Sequence, residues 1–299
     1  MKRTLSLSDG LFFLLAAAAF LPGARAVSSR TAFITVILTV EASFLWYRLR
    51  TKKKAAGDIS IVVFGFLLLW EVTTTKLDLF SPILVPGPEA VFQVFPVQWE
   101  TMLKGVFSSL ELIFWGFVAG LSASVSLGLF VGCIPRLRNL FLPIARVLSP
   151  IPPIICAPYI IALMPTFRSA SLLVLVLGIF WPNFMKMAEQ TGSMDPKLLD
   201  SARMMDLNLP TMVFRIYLPY LLPGLISGLK VMLSTSFLLL TMAEMMGAAS
   251  GLGYYIRRNT DFANYTNVVA GIILVGVVIT ILNLGIGWTE KHLIRWRKG

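Results

Sequence analysis

Charge is scarce in this sequence. Only 14% of its 299 residues are charged, where a soluble domain carries about 25%. Histidine is almost absent, with His292 alone near the C-terminus. The two cysteines, Cys133 and Cys156, both sit in apolar surroundings. These shortages exclude much chemistry. A Ser-His-Asp triad, a Cys-His pair and a zinc hydrolase site are poorly supplied. Neither a disulfide framework nor metal-ligand spacing is present, so no metal is expected. A phosphate-cradling G-x-x-x-x-G-K-[ST] run is missing too. The stretch 247–253 is glycine-rich but has no lysine.

What is there is apolar. Hydrophobic residues make up 57% of the chain and the mean hydropathy is +0.79. At about 20 apolar residues per crossing, this composition describes one polytopic membrane unit rather than two soluble domains. Spans are expected at 10–24, 31–47, 59–75, 106–132, 140–164, 169–188, 216–243 and 264–288. Five ionisable residues fall inside them: Glu41, Glu71, Glu111, Arg146 and Lys230.

The net charge of +11 would suggest nucleic acid on a soluble protein. Here it reads as basic loops held in the cytoplasm, with no nucleic-acid partner. With both termini cytoplasmic, seventeen of the 26 basic residues lie inside and seven outside, Arg146 and Lys230 being within spans. The opposite orientation reverses that excess, so the N-in, C-in arrangement is expected.

The first span has two readings. Lys2 and Arg3, the apolar run 11–21 and then Ala24-Arg25-Ala26 have the shape of a signal peptide with its cleavage site. The reading preferred here is an uncleaved anchor. The basic cluster 48–54 with Gly57 marks an internal boundary, giving an N-terminal transmembrane hairpin, 1–58, and a six-span unit, 59–299. Between the spans at 59–75 and 106–132, Pro86-Gly87-Pro88 predicts turns and one short interfacial helix. The span 140–164 holds Pro143, Pro150, Pro152, Pro153 and Pro158, which cannot share one straight helix. Broken backbone at membrane depth must be buried or line a cavity. Pro150, Pro152 and Pro153 are therefore either pathway-lining or part of a kinked packing helix.

The cytoplasmic loop 189–217 is the most informative stretch. Asp195-Pro196 is an N-cap followed by proline at the first helical position. Residues 197–205 then read as a short helix with Leu198, Leu199, Ala202 and Met205 along one side. Residues 206–209 break it, and Pro210 begins a second piece running 211–217. An exposed apolar stripe on such a helix suits either a partner groove or the headgroup layer.

Asp200-Ser201-Ala202, Asp206, nine residues and Ile216-Tyr217-Leu218-Pro219 reproduce the spacing of the cytoplasmic loop of ABC-importer permeases, Glu-Ala-Ala, three residues, Gly, nine residues, Ile-x-Leu-Pro. Asp200 stands for the Glu and Asp206 for the Gly; aspartate tolerates the left-handed turn better than most residues. Trp70-Glu71, Val85-Pro86-Gly87-Pro88, Leu148–Pro153, Ala243-Glu244-Met245, Gly251-Leu252-Gly253-Tyr254 and Trp296 extend the resemblance over about 59–297. The chain thus resembles the permease branch for nitrate, taurine, alkanesulfonate and related solutes. Pro165–Ser169 departs from that branch, which has a glycine-containing turn with an acidic residue there.

The resemblance implies an all-α type I importer permease of the cell inner membrane, paired with a second permease as a homodimer, or a heterodimer with a close homologue, above two ABC ATPase subunits. An external solute-binding protein delivers the cargo. No cofactor is expected in this chain, ATP being bound by the ATPase, and no enzyme activity of its own. Leu198, Leu199, Ala202 and Met205 would make the apolar contact with the ATPase, Asp200 and Arg203 the orienting polar contacts. Ser201, Asp206, Ile216, Leu218 and Pro219 fill the rest of the motif. Glu244 is a pathway candidate, or a helix-end carboxylate bonded to the glycine turn 247–253; the second is preferred. Arg257 and Arg258 would attract an anion or an acidic face, or form a solvated pair. Ser122, Ser124, Ser126, Gly120 and Gly128 read as helix-packing faces. The competing class, a secondary transporter or channel without an ATPase, predicts an internal repeat and more mid-span charge than is found.

Overall fold

The computed structural model describes residues 7–25, 27, 29–51, 54–205 and 207–293. Among them all regular structure is helical, as apolar runs of this length require: backbone in lipid must satisfy its polar groups within the segment. Five stretches of the described residues are long and apolar enough to cross a membrane: Gly57–Lys76, Pro88–Cys133, Phe167–Gly192, Pro210–Met245 and Tyr265–Glu290. The helices Pro135–Leu148 (α5) and Pro153–Leu163, the latter a 3-10 turn leading into α6 (Ala157–Leu163), are bent by 77° at the break between them and make a sixth span when the pair is taken as one. The break falls among the prolines, where missing N–H donors stop the helical ladder.

The first two expected spans fall short of that measure. Helix α1 (Leu7–Phe20) has 14 residues, about 21 Å of rise against a hydrocarbon layer of about 30 Å. Helix α2 (Thr31–Thr51) is long enough at 21 residues but carries Glu41, Arg48 and Arg50. The architecture is thus a six-span core with a shorter, more polar N-terminal hairpin.

Two compact units divide the chain, Met1–Leu103 with Ile256–Leu274 and Lys104–Tyr255 with Val275–Gly299. In the first, α1, α2 and α3 (Lys54–Glu71) share a core of Leu15, Ala19, Phe33, Ile37, Phe64 and Leu67. A π-helical turn, Val72–Lys76, follows α3. The segment after α1 is tied to it: the Ala24 N–H donates to the Lys76 carbonyl and the Arg25 N–H to that of Thr75, each at 3.2 Å. Arg25 also pairs with Asp78 and donates to the Val85 and Phe80 carbonyls. The expected short helix between the two spans is present: α4 (Pro88–Cys133) comprises two helical pieces that meet at non-helical Gln98 (φ −113°, ψ 20°), just after Pro96, where a proline kinks the chain.

In the second unit α4 packs on α7 (Phe167–Gly192). Small residues recur every fourth position of α4: Gly116, Gly120, Ser124, Gly128 and Gly132. A Cβ added at the four glycines would lie 2.2–2.9 Å from Leu175, Ile179, Met187 or Thr191 of α7. This ridge lets two backbones approach closely, the packing that holds helices together in lipid, where apolar burial supplies no drive. The reading of Gly120, Ser124 and Gly128 as a packing face matches this geometry, whereas Ser122 and Ser126 are exposed and lie off it.

Candidate coupling loop and outer carboxylate seat

Helix α8 (Pro196–Met204) starts where the sequence says it should. The Lys197 N–H donates to Asp195 Oδ1 at 3.0 Å, and the Leu198 N–H to the Asp195 carbonyl at 3.1 Å. Proline at N1 costs nothing, because that N–H has no partner in any helix. A second cap follows, with the Thr211 N–H donating to Asn208 Oδ1 at 3.1 Å at the head of α9 (Leu209–Met212).

The second piece is not a separate helix. α9 runs through a π-helical turn, Val213–Tyr217, straight into α10 (Leu218–Met245), giving one helical stretch from Pro210 to Met245. The π turn lies just before Pro219, whose missing N–H leaves the Arg215 carbonyl without its donor; the Leu218 N–H reaches back five residues to the Val213 carbonyl.

The expected apolar stripe of α8 is divided. Leu199 turns inward and packs, with Met212, Val213, Ile216 and Leu218, against a core of Leu129, Met187, Met194, Tyr217, Leu221 and Leu225. Leu198 is 40% exposed and Met205 71%. Asp200, Ser201 and Pro219 are also exposed, and the Ser201 hydroxyl donates back to the Lys197 carbonyl at 2.8 Å. Asp206 and the side chains of Ala202 and Arg203 lie outside the described residues. Two exposed side chains escaped the sequence reading: Met204, 90% exposed, and Phe214, 69%. Met204 was legible as the neighbour of Met205 on a nine-residue helix with one inward face. Phe214 was not, since its exposure follows from the π turn.

At the C-terminal end of α10, Glu244 is 1% exposed. The Ser109 hydroxyl lies 2.7 and 3.0 Å from its two oxygens, and the Gly253 N–H donates to Oε2 at 2.8 Å. Ser109 in turn accepts from the Leu252 N–H at 2.9 Å. A carboxylate this deep needs such donors, because an unmet buried charge is costly. The turn before α11 (Leu252–Asp261) is shaped to supply them. Gly251 has φ +115°, and a Cβ there would sit 2.4 Å from the Glu244 carboxyl. At Gly253 it would sit 2.2 Å from the Thr241 carbonyl. This is the helix-end carboxylate bonded to the glycine turn.

Apart from Glu41, the other span charges are paired. Lys76 meets Glu71 at 3.1 Å, Arg146 meets Glu189 at 3.0 Å and Lys230 meets Glu290 at 2.7 Å; Glu111 pairs with Arg168. Arg257 is bound to Asp261 one turn along α11, at 2.7 Å. At the break, Pro150 and Pro152 are exposed and Pro153 half-buried, and Ile151, Ile155, Tyr159 and Leu163 show an apolar face at four-residue spacing. Among the described residues no cluster of three or more His, Cys, Asp or Glu could hold a metal ion.

Residues 120–298 match the family described as binding-protein-dependent transport system inner membrane component. The chain is 26% identical to the putative aliphatic sulfonates transport permease protein SsuC of Bacillus subtilis over 77% of its own length and 84% of that protein's. It is 24% identical to the taurine transport system permease protein TauC of Escherichia coli, covering 80% and 89%. With the bicarbonate transport system permease protein CmpB of Synechococcus elongatus the identity is 22%, covering 78% and 87%. Its fold is similar to that of a chain of the MetNI methionine ABC transporter in an inward-facing conformation, with TM-score 0.56, 21% identity and coverage of 67% and 99%.

Proposed function

Because the chain belongs to the binding-protein-dependent transport system inner membrane components, permease subunits that work with ATPase partners in ABC importers, we propose that α8 is the element through which ATPase closure reaches the membrane. One observation carries this reading: α8 is capped by Asp195 and anchored by Leu199, yet leaves Leu198, Met204 and Met205 exposed. A rigid short helix with one face seated and apolar side chains on another suits a groove on a partner. Asp200 and Arg203 would orient it, and Ser201, Ala202, Asp206, Ile216, Leu218 and Pro219 complete the loop.

The rest of the assembly follows from that element. Each core has one such loop, whereas a nucleotide sandwich of two ATPase subunits needs two, so the permease pairs with a second copy. Both termini lie in the cytoplasm of an inner-membrane protein, with 1–58 an accessory hairpin and 59–299 the permease domain. An external binding protein delivers a small solute, of the kind named in the relatives: a sulfonate, taurine or bicarbonate. ATP belongs to the partner, and this chain contributes no catalytic residue. Pro150, Pro152 and Pro153, at the broken span, border the solute's path, and Glu244 holds the outer end of α10.

The test is disulfide trapping in the whole complex. Met205→Cys, with single cysteines placed along the groove of the ATPase subunit, is expected to cross-link in a nucleotide-dependent way. Failure of Met205→Cys to cross-link at any groove position, while Arg215→Cys in the same loop does so, overturns the assignment of α8.

A further inference from the structure

Glu41 is the exception among the span charges. Glu71, Glu111, Arg146 and Lys230 all have oppositely charged partners. Glu41 is half-buried near the middle of α2, and no described residue donates to its carboxylate. A bare carboxylate within a span is unfavourable, and such residues mark functional sites.

It does not face featureless lipid. Glu41 lines a cavity of about 590 Å³ between α1 and α2, a volume typical of ligand sites. Arg48 lines it two turns further along the same face, about 10 Å of rise away. One Arg48 nitrogen donates to Asp9 Oδ1 at 2.9 Å; the rest of the guanidinium has no partner among the described residues. Among the described lining residues the charges of Asp9 and Arg48 balance, which leaves one negative charge, on Glu41. Its remaining walls are apolar, including Phe12, Phe13, Leu38 and Leu45.

The cavity therefore offers an unmatched carboxylate and unmatched guanidinium donors, flanked by hydrocarbon, in a segment outside the matched family region. Its complement carries an ammonium with N–H groups for Glu41, a phosphate for Arg48 and an acyl body for the walls. A glycerol headgroup lacks the first, a serine headgroup adds a second carboxylate beside Glu41, and a trimethylammonium headgroup lacks the N–H donors. We propose that the α1–α2 cavity binds one phospholipid with a primary amine headgroup, of the phosphatidylethanolamine class.

The experiment uses the permease purified with its ATPase partners in mild detergent, washed extensively, with bound lipid counted by mass spectrometry. Preparations are first equilibrated with equal amounts of phosphatidylethanolamine, phosphatidylcholine and phosphatidylglycerol. The wild-type complex is expected to retain about one phosphatidylethanolamine per permease above background. Glu41→Gln is expected to lower that retention at least fivefold. Ala42→Trp fills the cavity while keeping every charge and should do the same, so the proposal stays testable if Glu41→Gln assembles poorly. Equal retention in the wild type and both variants overturns it, as does preferential retention of the glycerol or choline lipid. A basic helix of another protein co-purifying in place of lipid also overturns it. Cross-linking of α8 is read on the same preparations and is independent of the outcome.

Discussion

Two carboxylates in membrane helices are held in opposite ways. Glu244 receives a side-chain hydroxyl and a backbone N–H, under a turn whose glycines leave no room for a methyl group. Glu41 receives nothing from the described residues and opens on a cavity. The chain completes the first site by itself; the second is complete only with something added. Donor count and free volume, rather than the presence of an acid in a span, separate a structural carboxylate from a binding one.

The largest expected effect breaks the Glu244 seat. Gly251→Val adds a Cβ about where the carboxyl lies, at a φ that side chains rarely adopt. Strain and overpacking together should cost about 3 kcal/mol or more, read as a lower melting temperature of the purified complex and reduced yield. If Gly251→Val melts like the wild type, the turn is not clamped on Glu244.

Ser109→Ala removes the hydroxyl while leaving the backbone donor. Losing a hydrogen bond to a buried charged group should cost about 2 kcal/mol. Ser109→Thr keeps a hydroxyl and should recover part of the loss. Thermal denaturation of the three proteins in one detergent separates a lost hydrogen bond from lost packing.

Ala202→Trp addresses the loop rather than either carboxylate. An indole on α8 should prevent close docking, with overpacking of about 1–3 kcal/mol at the contact, so ATPase co-purification and solute uptake fall while the melting temperature holds. Lys197→Ala, at an exposed position, is expected to change neither. Full ATPase binding and uptake by Ala202→Trp would favour a helix lying in the headgroups.

The smallest expected effect is the sharpest contrast. Glu41→Leu removes an unpaired acid from an apolar setting, so the melting temperature in detergent should stay the same or rise slightly. Glu244→Leu, by contrast, strands Ser109 and the Gly253 N–H and should lower it. If both fall equally, Glu41 has a partner inside the protein and the comparison fails.

Local chemistry was legible in the sequence. Asp195-Pro196 starts α8 because a cap acts within three residues, and the crowded prolines break 140–164 because each acts on the turn before it. The glycine turn over Glu244 could be read from Ala243-Glu244-Met245 and Gly251-Leu252-Gly253 being so near each other. What stayed hidden depended on distant partners. Leu198 and Leu199 are two neighbouring leucines about 100° apart on the helix, and the sequence does not say which faces inward until Leu129, Met187 and Tyr217 give Leu199 a core. The fusion of α9 with α10 required knowing that a π turn, rather than a loop, would absorb Pro219 and Pro223. The solitude of Glu41 appears only once the other span charges are seen to find partners.

The unbroken helix from Pro210 to Met245 makes chain length a matter of angle. Each residue added or removed within it turns one end against the other by about 100°. A single insertion near the π turn would leave the α8 end in place and rotate Glu244 away from Ser109. The same insertion at 207, outside the helix, would change no angle along it. The spacing between the α8 motif and the Glu244 carboxylate is thus a rotational setting, like the timing of two cams on one shaft. Compensated insertion and deletion pairs within 213–240 should restore what either alone destroys.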